Sequence, residues 1–256
     1  MRRNFVTIFL LAVLLCLANG MARAEPASSW VTTDQTKLRL ISAVTAIGNG
    51  SGTVPLGVQF TLVPGWKTYW RSPGDAGFPV SLDWTGSTNL ASADLAWPVP
   101  HRFTLFGLDT FGYEDEVVLP IAAKPANPAE PMGLRVKVKY LVCEKVCIPY
   151  SANLALDLPA GAAAPSEFAQ LIDRYASRVP GDGSAHGLHL ISAKASGDDA
   201  HPRLSVAIES ALPLDHPDLI VEGPDGLYFP APRVTLDAAK THASFEIDVK
   251  RDAKAP

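Results

Sequence analysis

The chain has 256 residues, with 22 Lys and Arg against 26 Asp and Glu, giving a formal net charge of −4. It contains no basic block and no stripe of interleaved basic and aromatic residues, so nucleic-acid binding has no electrostatic support. The 22 prolines and 19 glycines are spread between short apolar runs, a pattern of many strands and turns rather than of disorder.

Residues 1–24 have the pattern of a secretory signal peptide. Arg2 and Arg3 give a positive start, Phe5 to Leu17 is an apolar run, and Ala22-Arg23-Ala24 is a small-x-small cleavage site before Glu25. No later stretch approaches the about 18 apolar residues of a membrane helix. Export is therefore expected, with cleavage near Ala24.

The predicted elements follow in order. Leu38–Val44 and Leu56–Leu62 alternate with period two, the second ended by Pro64-Gly65. Leu134–Tyr140 alternates strictly, apolar residues against Arg135, Lys137 and Lys139, and Asn153–Leu158 alternates again before Pro159. Strands at this spacing, punctuated by Pro and Gly, predict an all-β fold beginning with an antiparallel β-sandwich over residues 30–160. Residues 161–186 read as a linker. Within it Phe168, Leu171, Ile172, Tyr175 and Val179 fall on one face of an amphipathic helix over 166–179, ended by Pro180-Gly181. Its apolar face needs a partner, most simply the preceding sandwich. Residues 187–256 form a second β domain with candidate strands Leu188–Ala193, Leu204–Ile208, Leu219–Val221 and Phe245–Val249. These few strands make a small sandwich that reads as incomplete.

Two of the three cysteines, Cys143 and Cys147, lie after the signal segment, within Val142-Cys143-Glu144-Lys145-Val146-Cys147-Ile148-Pro149. An even pair in an exported protein reads first as a disulfide. A loop this short contributes only about 2 kcal/mol in the chain-entropy model, against more than about 4 for a loop of about 100 residues. A short disulfide is more useful as one that opens and closes. The β-branched Val142, Val146 and Ile148, with Pro149, favour a hairpin mouth over a helix. A tight turn there brings the two Cα atoms near disulfide distance. Lys145 favours a thiolate and Glu144 opposes it. A metal site is disfavoured, because no His is near and the second half of a zinc motif is missing; no cofactor is expected. A purely structural disulfide in a binding or scaffold module stands as the alternative.

The cysteine segment resembles the redox loop of the periplasmic N-terminal domain of the DsbD/ScsB family of thiol:disulfide interchange proteins. Two upstream blocks carry the resemblance further. One is Pro64-Gly65-Trp66-Lys67-Thr68-Tyr69-Trp70-Arg71-Ser72-Pro73-Gly74-Asp75-Ala76-Gly77. The other is Trp97-Pro98-Val99-Pro100-His101-Arg102-Phe103 with Gly107 and Phe111-Gly112-Tyr113-Glu114-Asp115-Glu116. The three residues between the cysteines are closer to the ScsB-like branch than to the DsbD branch. The resemblance implies an immunoglobulin-like sandwich in the periplasm that relays electrons. The donor would be a membrane-embedded thiol reductase domain, and the acceptors thioredoxin-like or other disulfide-bearing periplasmic proteins. It implies that Cys143 and Cys147 are the catalytic pair, with Cys147 forming the mixed disulfide. It also implies an aromatic cap over the disulfide from Phe106–Tyr113, with Phe111 the first candidate and Phe106 the second, and a pocket lined by Tyr69 and Trp70. Packing in the core is the plainer reading of each of these aromatics.

Overall fold

The computed structural model describes residues 25–48, 52–105, 107–198, 200–224 and 226–251. The expected signal peptide and the cap candidate Phe106 lie outside the described residues.

Eleven strands come first: β1 (Val31–Thr32), β2 (Thr36–Ser42), β3 (Val54–Leu62), β4 (Lys67–Gly74), β5 (Ser81–Asp83), β6 (Leu90–Leu95), β7 (His101–Leu105), β8 (Leu108–Glu114), β9 (Glu116–Pro125), β10 (Met132–Cys143) and β11 (Cys147–Leu158). They form two antiparallel sheets. One has the order β1-β2-β3-β9-β6, the other β11-β10-β4-β8-β7, with β5 also paired to β10. Leu38, Leu40, Leu56, Val58, Phe60, Leu119 and Ile121 from the first sheet and Leu134, Val136, Val138, Tyr140 and Leu154 from the second share one core. This is the expected all-β sandwich. The alternation that the sequence shows in β10 and β11 appears as strict burial of every second residue over most of both strands.

Helix α1 (Ala169–Ala176) is shorter than the predicted 166–179, with Phe168 at its N-cap and Ser177 at its C-cap. Its buried Ile172 and Tyr175 pack on the outer face of the first sheet. Gly57 makes this possible: a Cβ there would stand 2.4 Å from Val118 Cγ1 and 3.4 Å from Ile172 Cγ1. The Tyr175 hydroxyl donates to Glu116 O at 2.8 Å, pinning the helix to the start of β9.

Strands β12 (Leu188–Ser196), β13 (Arg203–Ser210), β14 (Leu227–Tyr228), β15 (Arg233–Leu236), β16 (His242–Asp248) and β17 (Lys250–Arg251) follow. They make a four-stranded sheet, β12-β13-β16-β15, and a two-stranded ribbon of β14 and β17. Its small core holds Val206, Ala243 and Phe245, with Leu204, Ile208, Leu214, Leu219 and Leu236 packed against them. The predicted strand at Leu219–Val221 is not formed. There the backbone is committed elsewhere: Leu219 O accepts from Arg102 Nη2 at 3.0 Å. Most of β12 is exposed, as its thin apolar pattern allows.

Candidate redox site

The hairpin of β10 and β11 pairs residue by residue from Met132↔Leu158 to Cys143↔Cys147. The two cysteines are thus the last register pair, and Glu144-Lys145-Val146 is the connecting turn, with Glu144 N donating to Val146 O at 3.1 Å. Directly opposed residues on adjacent antiparallel strands are close enough to bridge. Here the Cα atoms are 4.2 Å apart and the sulfurs are bonded.

The environments of the two sulfurs differ sharply. Strand β10 is interior to its sheet, flanked by β11 and β4, and Cys143 also pairs with Lys67 of β4. It is 1% exposed and clusters with Tyr69 and Leu141 on the outer face of the sheet. Cys147 begins β11, an edge strand, and is exposed. Beside it Val146 stands 61% exposed. Lys145 and Glu144 are neighbours across the turn, 3.8 Å apart; Lys67 and Glu114 are opposed on β4 and β8.

Tyr69 lies where a pocket residue is expected. Its hydroxyl is 3.9 Å from Cys147 Sγ, within reach of a sulfur hydrogen bond. Burial raises its phenol pKa above the usual value, so the group remains a proton donor at neutral pH. Its ring rests on the backbone of Gly77, which has φ +106°; a Cβ there would fall 2.5 Å from Tyr69 Cε1. No side chain fits that position.

Two of the predicted aromatics are not at the disulfide. Trp70 follows Tyr69 on β4 and turns to the opposite face, into the main core, 4% exposed. Adjacent strand residues cannot both face the cysteines. Phe111 is likewise in the main core, 4% exposed, on strand β8 rather than in a loop. The Arg102 guanidinium stacks on its ring at 4.8 Å. A ring committed to the core does not cover an exposed sulfur, so Phe111 is not a cap. The stretch 108–113 forms a strand because β4 on one side and β7 on the other both pair with it.

The comparisons with known proteins agree with this geometry. Residues 40–159 match the family model described as thiol:disulfide interchange protein DsbD, N-terminal. The crystal structure of the N-terminal periplasmic domain of ScsB from Proteus mirabilis is similar over 91% of this chain and 90% of that chain, with 26% identity and a TM-score of 0.70. Over residues 40–159 the chain is similar to N-terminal domains of the DsbD/ScsB type. The match to this family model and the Cys143–Cys147 disulfide together fit thiol–disulfide exchange in general. The family-model match ends at residue 159, and residues 178–256 match a domain of unknown function, DUF8393. The reduced N-terminal domain of Neisseria meningitidis DsbD is more distant, with 14% identity, 50% of this chain and 90% of that chain covered, and a TM-score of 0.28. No curated protein matches the chain. No helix among the described residues is long and apolar enough to cross a membrane.

Proposed function

We propose that the first domain, residues 30–160, relays reducing equivalents in the periplasm by dithiol–disulfide exchange. It would take them from a membrane-embedded thiol reductase domain and pass them to thioredoxin-like or other disulfide-bearing proteins. The observation that carries this reading is the asymmetry of one bridged pair: Cys147 is exposed on an edge strand, and Cys143, bonded to it, is buried. Exchange requires one accessible sulfur and one neighbouring thiol that resolves the intermediate. A stapling disulfide requires neither. Similarity to the periplasmic ScsB domain supports the compartment, and the match to a thiol:disulfide interchange family model supports exchange with other thiol proteins.

In the reduced domain the Cys147 thiolate attacks a sulfur of the partner disulfide. A mixed disulfide forms, and one partner thiolate leaves and takes up a proton. Cys143, deprotonated, then attacks Cys147 Sγ. The intramolecular disulfide re-forms and the second partner thiolate is released. The partner gains two electrons and two protons, and the domain loses them. The membrane reductase restores the dithiol by the reverse exchange. Tyr69 donates its hydroxyl proton toward Cys147 Sγ and favours the thiolate, since hydrogen bonding to a charged form lowers its pKa.

The deciding measurement is the reduction potential of the Cys143–Cys147 couple, by equilibration with glutathione or dithiothreitol. A relay couple falls among the thioredoxin-like values, from about −270 to about −120 mV. A value below about −300 mV returns the pair to a structural disulfide in a binding module.

A further inference from the structure

The second β unit reaches the redox domain through two arginines. Arg102 of β7 is held by Asp218 in a fork, Nε to Oδ2 at 2.9 Å and Nη2 to Oδ1 at 3.1 Å, while Nη2 also donates to Leu219 O. Arg71 of β4 donates to Glu222 Oε1 at 2.6 Å. Each guanidinium also stacks on a core ring, Arg102 on Phe111 and Arg71 on Trp70 at 4.9 Å. Bidentate arginine–carboxylate pairs fix orientation as well as adding energy.

Both arginines bear on the same segment. Between Tyr69 and Gly74 the pairing of β4 with β8 jumps, from Tyr69↔Gly112 to Gly74↔Thr110, so residues 70–73 bulge out of the ladder. The loop beyond is tied to Asp109. Asp75 N donates to Asp109 O at 2.9 Å, and Asp109 N donates to Asp75 Oδ2 at 2.8 Å. The Asp109 carboxylate in turn accepts from Arg102 Nη1 at 3.3 Å and from Ala231 N, in the second unit, at 3.1 Å. Two residues after Asp75, the Gly77 backbone rests on the Tyr69 ring. Beside these contacts a cleft of about 410 Å³ lies between Gly74, Gly77 and Phe111 on one side and Val221, Leu227 and Phe229 on the other, while Ile220 packs against the main core.

We propose that the second β unit is a clasp on the redox site. Asp218 and Glu222 hold Arg102 and Arg71, these hold the 70–77 loop, and the loop braces Tyr69 against Cys147. Asp218 and Glu222 are thus positioning residues, acting through Tyr69. Releasing them lets the loop lift, the Tyr69 hydroxyl drifts from Cys147 Sγ, and the thiolate loses its donor. The inference rests on the redox reading above.

The test uses the full chain in a Cys143→Ser background, with alkylation at Cys147 followed by mass spectrometry as a function of pH. The charged groups around Cys147 — Glu144 and Lys145 on the turn, Lys67 on β4 and Glu114 on β8 — are unchanged in every variant. Asp218 and Glu222 have side chains 42% and 41% exposed, so Asp218→Ala/Glu222→Ala is expected to fold. It should slow alkylation at neutral pH about three- to tenfold and move the pH midpoint upward, as Tyr69→Phe does. Combining all three substitutions should add nothing, because both act on one contact. A wild-type midpoint in the clasp variant, or additive shifts in the combination, overturns the proposal. A wild-type dithiol that reduces no disulfide substrate overturns instead the redox reading itself, a separate outcome.

Discussion

Cys143 and Cys147 are opposed residues of one hairpin, covalently joined, yet one sulfur is enclosed by its sheet and the other faces solvent. The proposed roles, attack by Cys147 and resolution by Cys143, follow this division of burial. Cys143→Ser should accumulate a mixed disulfide with a thioredoxin-like partner, because Cys147 attacks and nothing resolves the product. Cys147→Ser should trap little. Non-reducing electrophoresis after incubation with oxidised partner reads the difference, and equal trapping by both variants would refute the assignment.

The phenols make the domain sensitive to alkali. Burial raises the pKa values of Tyr69, Tyr113, Tyr140 and Tyr175 in the folded state. In the unfolded chain they titrate near about 10. A raised folded pKa means that the stabilisation is fully present only below the unfolded value of about 10. It is lost as pH rises toward and through the folded values, where the unfolded state sheds protons first. Stability to urea should therefore be flat from neutral pH to about 9.5 and fall above it. Phenolate absorbance from these four residues should appear together with unfolding; full phenol ionisation in a still-folded protein would contradict this.

Phe111→Ala should cost about 3–5 kcal/mol, as for large aromatic truncations in a core. It leaves a void under Arg102. Under conditions where the variant is folded, Cys147 in the reduced state should be alkylated no faster than in the wild type, because the ring covers no sulfur. A several-fold acceleration in the folded variant would show that the ring shields the site after all.

Gly57→Ala tests the seat of the helix. The added methyl overlaps Val118 and presses on Ile172, and overpacking of this kind costs about 1–3 kcal/mol. The reduction potential should not change, since the helix covers the first sheet and the cysteines belong to the second. A shifted potential would reveal coupling through the sandwich core.

Much of this protein was legible along the chain. Alternation in Leu134–Tyr140 and Asn153–Leu158, bounded by a C-x3-C turn with β-branched neighbours, determined the hairpin and brought the cysteines together at its mouth. The spacing of Phe168, Ile172 and Tyr175 determined the helix and its buried face. Both are local periodicities, and a side chain's direction follows from its position in the repeat. What periodicity cannot reach is which strands become neighbours. Cys143 is buried because β4 joins β10 from a distant part of the sequence and lays Tyr69 over it; Cys147 is exposed at the start of β11, an edge strand with no partner on its outer side among the described residues. That one of Tyr69 and Trp70 must face inward was readable, but the choice was made by the sheet. Phe111 became core because β4 and β7 both claimed its strand. Leu219–Val221 lost its strand because Arg102 took one of its carbonyls. Long-range pairing and ion pairs between distant segments decided these points, and they have no signature in a window of ten residues.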